Sequence, residues 1–130
     1  MPFTGKVLVC EEKVHLRRLL SLIVKSLGQH VLFEAADGEE TLLLYQSVKP
    51  DLVLLDVNMR QRDGIQTIQA LKQIDPDCLV VILTSLVNHL TAEECLRLGA
   101  ADCLRKDLPR EEIAVQLARI IDACFGDIPA

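Results

Sequence analysis

Residues 50–64 read PDLVLLDVNMRQRDG. Pro50 ends whatever precedes it, Leu52 to Leu55 form an unbroken apolar run of strand length, and Asp56 closes that run. A strand that is apolar on both faces must be covered on both faces, which is the condition of a parallel sheet with helices on each side. Asp63-Gly64 then marks a turn, and Ile65, Ile68, Leu71 and Ile74 recur at helical spacing until Asp75-Pro76 breaks the pattern. One strand, one acid at its end and one amphipathic helix make up this stretch.

The same unit repeats outward in both directions. Upstream, Val7 to Cys10 reads as a strand, Glu12 to Leu27 as a helix with Leu16, Leu19, Leu20, Ile23 and Leu27 on one side, and Gly28 as its stop. Val31 to Phe33 is a weaker strand and Gly38 to Val48 a helix. Downstream, Leu79 to Leu83 is the clearest strand, Thr91 to Leu98 a helix ending at Gly99, and Asp102 to Leu104 a short strand. The last helix opens near Pro109 with Glu111 and Glu112 against its dipole and presents Ile113, Leu117, Ile120, Ile121 and Cys124 as a buried stripe. Five βα units predict a doubly wound α/β fold. Right-handed crossovers and this length favour a five-stranded parallel sheet of order 2-1-3-4-5, the flavodoxin-like arrangement. No linker, repeat or low-complexity segment interrupts it, so residues 1–130 are expected to form one domain.

Half of the 130 residues are apolar, enough for a core without staples. Cys10, Cys78, Cys95, Cys103 and Cys124 form no CxxC pair and read as reduced, mostly buried thiols of a cytoplasmic protein. No leader-like segment opens the chain, and no apolar run reaches membrane length, so no membrane partner is expected. Fourteen basic residues against nineteen acidic ones give a net charge of -5. That balance argues against direct nucleic-acid binding, as does the absence of tryptophan. His15, His30 and His89 lack metal-ligand spacing and read as structural or surface residues, and Arg17 is expected to face solvent.

In a sheet of this kind the chemistry sits beyond the carboxyl ends of the strands, at the switch point between the first and third. The residues there are Glu11 and Glu12, then Asp56 and Asn58, then Thr84 and Ser85, then Lys106. Three carboxylates brought together call for a positive charge between them. A hard divalent cation with oxygen ligands, Mg²⁺ in particular, suits a site with few carboxylates and several waters. A carboxylate beside such a cation can attack phosphorus, with the lysine and the hydroxyl balancing charge on the transferring oxygens. The plainer alternatives are first-turn acids for Glu11 and Glu12, a strand-end turn for Asp56 and a solvated surface lysine for Lys106.

The stretches VLVCEE, PDLVLLDVNMRQRDG, VVILTS and LRKDLP resemble, in order and approximate spacing, the receiver domains of bacterial two-component response regulators, and the likeness covers essentially the whole chain. The resemblance implies that Asp56 is the phospho-acceptor, that Glu11 and Glu12 are the acidic pair, and that Glu12, Asp56 and the backbone carbonyl of Asn58 hold Mg²⁺ or Mn²⁺. It further implies that Thr84 moves towards the phosphoryl group and that Lys106 pairs with it. The phosphoryl donor would be a sensor histidine kinase or a phosphotransfer protein. No turnover beyond self-phosphorylation and autodephosphorylation is expected, and a homodimer is a further expected partner.

Four features depart from the family pattern. Both acids of the pair are glutamates, Arg60 stands where proline is common and makes a basic loop with Arg62, Cys103 replaces the usual aromatic switch residue, and Asp107 replaces the proline after Lys106. The lost aromatic predicts a signal carried by backbone and loop movement to the fourth helix, fifth strand and fifth helix. Lys106-Asp107 is also familiar in receivers joined to helix-turn-helix output domains. The rival reading is an unphosphorylated interaction module on the same fold; a flavodoxin-like binder or hydrolase would need a Gly-rich phosphate loop or a catalytic histidine, and neither is seen.

Overall fold

The computed structural model describes residues 5–28, 30–59 and 63–126. Its elements run β1 (Lys6–Cys10), α1 (Val14–Ser26), β2 (Val31–Ala35), α2 (Gly38–Val48), β3 (Leu52–Asp56), α3 (Gly64–Ile74), β4 (Val80–Thr84), α4 (His89–Arg97), β5 (Asp102–Arg105) and α5 (Arg110–Phe125), with a 3-10 turn at Leu86–Asn88. All strand pairs are parallel, in the order β2-β1-β3-β4-β5. The expected doubly wound α/β sheet is therefore the observed one.

Alternation along the strands divides the core in two. Val7, Val9, Leu52, Leu54, Val81, Leu83 and Leu104 face α1 and α5, where Leu20, Ile23, Val24, Ile113 and Leu117 meet them. Leu8, Cys10, Val53, Leu55, Val80 and Ile82 face α2, α3 and α4 through Tyr45, Ile68, Leu71, Ala92 and Cys95. Each fully buried Leu or Ile contributes about 1.5–3 kcal/mol, so the central strands are held firmly and the loops at their ends are carried by a rigid sheet.

Several boundaries differ from the sequence reading. Strand β2 extends through Glu34 to Ala35, and β4 through Thr84. Helix α1 starts at Val14, two residues after Glu12, with no acid in its first turn and no side chain capping it. Glu11 and Glu12 are therefore loop residues, and the dipole-complementing alternative for them falls. Cys124 is half-buried at the edge of the α5 stripe, and all five cysteines are free thiols. Arg60 and Arg62 lie outside the described residues. Among the described residues no helix is long and apolar enough to cross a membrane.

Candidate functional site

The site is assembled by the ends of four strands. The β3–β4 register sets Asp56 opposite Leu83, and Thr84 pairs with Arg105 one residue before Lys106. The Lys106 N–H donates to the Thr84 carbonyl at 2.9 Å, fixing the lysine's backbone to the end of β4. On the other side, the Glu11 N–H donates to the Ala35 carbonyl at 3.0 Å, which carries the β1–β2 ladder one residue past β1.

The loop after β3 is braced from below by α3. Asp63 and Gln66 form a reciprocal capping box at its start. Gly64 donates to the Val57 carbonyl at 3.0 Å, and a Cβ on Gly64 would lie 2.7 Å from the Val57 Cα. Only glycine allows that approach. Asp63-Gly64 thus has the structural role expected of it, with a consequence for the site: it holds Val57 and Asn58 directly beyond Asp56.

Three side chains meet beneath the rim. Lys106 Nζ lies 2.9 Å from Glu11 Oε1 and 2.9 Å from Asp56 Oδ1. Glu11 is 0% exposed and Asp56 2%. The second Glu11 oxygen accepts the Glu12 N–H at 3.1 Å, and Asp56 Oδ1 also accepts the Asn58 N–H at 3.1 Å. Burial pushes the Glu11 carboxyl up to about 7, assisted by its hydrogen bond with Asp56 and opposed by Lys106. Burial alone would lower Lys106, but its hydrogen bonds to Glu11 and Asp56 outweigh that and its pKa is raised. One ammonium serves two buried acids, so it only partly offsets the cost of burying them, and the raised Glu11 pKa is the sign of that shortfall.

Above the cluster opens a cavity of about 410 Å³, lined by Glu12, Lys13, Leu16, Asp56, Asn58, Ser85, Val87, Asn88, Lys106 and Asp107. Glu12, Asp56, Asn58 and Lys106 are therefore brought together as the sequence predicts. Two residues are placed otherwise. Glu11 sits under the rim with both carboxylate oxygens engaged by protein donors. Thr84 is buried, donates to the Ser85 carbonyl at 3.3 Å, and lines a different, mostly apolar pocket of about 220 Å³ with Cys103, His89, Ala92 and Leu96. The small Cys103 side chain leaves that space beside Thr84.

Two features were not legible as site residues. Arg17, expected to face solvent, is only 16% exposed; its Nη1 donates to the Glu11 carbonyl at 2.8 Å and its Nε to Glu34 Oε1 at 3.0 Å. Side chains in a first helical turn lean back towards the helix start, which is the signal that could have placed Arg17 over the preceding loop. Asp107 takes a forked pair of bonds from Arg105, at 2.6 and 3.0 Å, and accepts the Leu86 N–H at 3.2 Å. The Arg105 guanidinium holds the Asp107 carboxyl down at about 2. Asp107 thereby joins the loop after β4 to the loop after β5 at the cavity mouth.

Among the described residues, no group of three His, Cys, Asp or Glu side chains is placed to hold a metal ion. Mg²⁺ does not require one, since it uses one or two carboxylates and keeps several waters. A donor set of Glu12, Asp56 and Asn58 on a solvent-open cavity, with Lys106 beside it, fits that ion. A dehydrated cage including Glu11 does not.

The chain matches known proteins along nearly its whole length. The sequence pattern of the response regulator receiver domain matches residues 7–118. The chain belongs to the response regulator receiver domain family. It is 26% identical to the chemotaxis protein CheY of Thermotoga maritima over 115 residues, covering 88% of this chain and 96% of that protein. It is 34% identical over 131 aligned positions to the transcriptional regulatory protein PdtaR of Mycobacterium tuberculosis, covering 95% of this chain and 62% of that one. The response regulator domain of Thermotoga maritima CheB superposes with a TM-score of 0.85 at 25% identity, covering 98% of this chain and all of that one. Receiver-fold relatives thus include chains of this length and longer ones, in one of which the match spans 28%.

Proposed function

We propose that this receiver domain accepts a phosphoryl group on Asp56 from the phosphohistidine of a sensor histidine kinase or a phosphotransfer protein, and that residues 1–130 act as one such unit. The observation that carries the reading is the Asp56 carboxylate, buried at the floor of an open cavity with the Lys106 ammonium at 2.9 Å. A carboxylate oxygen of Asp56 forms the new O–P bond as the P–N bond of the donor breaks, and the electron pair of that bond returns to the imidazole. Lys106 stands beside the acceptor and balances charge on the transferring oxygens. Glu12, Asp56 and an Asn58 carbonyl would hold Mg²⁺ or Mn²⁺, which when bound supplies the remaining positive charge. Glu11 keeps Lys106 in place from below.

Thr84 reaches the phosphoryl oxygens only after rotating out of the pocket it shares with Cys103. That rotation moves the Ser85–Leu86 backbone and its Asp107 tie, so the signal passes to α4, β5 and α5 through the loops. The test is incubation of the parent and of Asp56→Ala with Mg²⁺ and a small phosphoramidate donor, followed by intact mass. The parent gains one phosphoryl group, and neither the variant nor a chelator-treated sample does. Equal labelling of Asp56→Ala would overturn the proposal.

A second reading, an unphosphorylated interaction module, is motivated by the paired glutamates Glu11 and Glu12 and by Cys103 at the position of the usual aromatic. A chain that neither binds Mg²⁺ nor responds to beryllofluoride would overturn the first reading and favour the second.

A further inference from the structure

We infer that Arg17 is a positioning residue that fixes the β1–α1 loop and thereby sets the cation affinity of Glu12. The inference rests on the phospho-accepting reading above and concerns how this chain presents a glutamate, Glu12, to its cation site.

Glutamate has one more rotatable bond than aspartate, so a site using Glu12 needs its backbone held more firmly to present the carboxylate in one place. Helix α1 gives little help, because no side chain caps its start. The Glu11 peptide is pinned instead from β2. Its N–H donates to the Ala35 carbonyl at 3.0 Å, and its carbonyl accepts from Arg17 Nη1 at 2.8 Å. Arg17 is in turn anchored by Glu34 through Nε at 3.0 Å. Arg17 and Glu34 therefore tie the first turn of α1 and the end of β2 to the residue immediately before Glu12. A guanidinium suits this task, since one planar fork serves a carbonyl and a carboxylate at once.

Charge alone predicts the opposite result from positioning. Removing a positive residue near a cation site strengthens cation binding through Coulomb's law, whereas removing a support for a ligand weakens it, commonly by about 10–100-fold. The sign of the change separates the two.

The experiment is calorimetric titration of the full chain with Mg²⁺, repeated with Mn²⁺ by electron paramagnetic resonance, on the parent, Arg17→Met, Arg17→Lys, Glu34→Ala and Arg18→Met, the last an exposed neighbour. Arg17→Met is expected to weaken binding about tenfold or more. Arg17→Lys, which reaches one acceptor at a time, should be intermediate. Glu34→Ala should shift affinity in the same direction by less, and Arg18→Met should leave it unchanged or slightly stronger. Saturating Mg²⁺ should restore the phosphorylation rate of Arg17→Met. Unchanged or tighter binding in Arg17→Met, whatever its melting temperature, would overturn the inference. Should that variant fail to fold, unchanged binding in both Arg17→Lys and Glu34→Ala does the same. A parent that binds no cation would sink the phospho-accepting reading itself, whereas a parent that binds beside unaffected variants would sink only the role of Arg17.

Discussion

The two ends of the sheet carry cavities of different kinds. The larger, about 640 Å³, lies at the amino end between α2 and α3, lined by Tyr45, Gln46, Lys49, Asp51, Ile74, Asp75, Asp77 and Cys78 among others. Its acids serve the backbone and a phenol: Asp75 accepts the Tyr45 hydroxyl at 2.8 Å and the Asp77 N–H at 3.0 Å, and Asp51 accepts the Lys6 N–H at 2.8 Å. Asp51 and Asp77 are exposed. The smaller cavity at the carboxyl end sits on Glu11, Asp56 and Lys106, charges held almost wholly out of water. The larger cavity and the buried charge therefore lie at opposite ends of this molecule. Of the two, the buried charge is the feature that costs desolvation, and it lies where the phospho-accepting site is proposed.

That contrast breaks most sharply at the proposed acceptor. Asp56→Ala should abolish phosphoryl incorporation, while Asp75→Ala at the other end should leave the rate within about twofold, as read by intact mass over time. Next in size, Lys106→Met leaves Glu11 and Asp56 without their cation and should cost about 3–5 kcal/mol at pH 8. Lys72→Met, which removes bonds to the Pro76 and Cys78 carbonyls near the opposite cavity, should cost about 1 kcal/mol in the same denaturant titration.

Glu11 gives the third comparison, made with chelator present. Its folded pKa of about 7 lies above the ordinary 4.5, so the folded chain retains a proton that the unfolded chain releases. Its contribution is complete below pH 4.5 and is lost as pH rises through 7, by about 3 kcal/mol at most. Glu11→Gln should flatten that slope, and an unaltered slope would show that Glu11 does not carry the proton. An effect as small as that of Lys72→Met, about 1 kcal/mol, is expected from Tyr45→Phe, with no change in cation affinity.

The sheet was legible because its strands declare themselves. Leu52 to Leu55 and Val80 to Leu83 are apolar at every position and buried at every position, so no tertiary contact could override the pattern. Strand β2 looks short in the sequence because Glu34 interrupts its apolar run, on the face where Arg17 meets it. The start of α1 looks early because Glu11 and Glu12 resemble helix-favouring acids, whereas the ladder to Ala35 keeps the backbone extended through Glu11. Convergence of Glu12, Asp56 and Lys106 followed from their places after strands. The depth of Glu11 and the turn of Thr84 into the pocket it shares with Cys103 did not, since both depend on side-chain direction.

The chain contains no tryptophan and a single tyrosine, and that tyrosine lines the amino-end cavity, across the whole depth of the sheet from Asp56. Intrinsic emission will consequently report melting of the α2–α3 end and stay dark to anything bound at the other. Watching the carboxyl end optically demands a chromophore placed there, and position 103, which lines an apolar hollow with Thr84, is the natural seat for one.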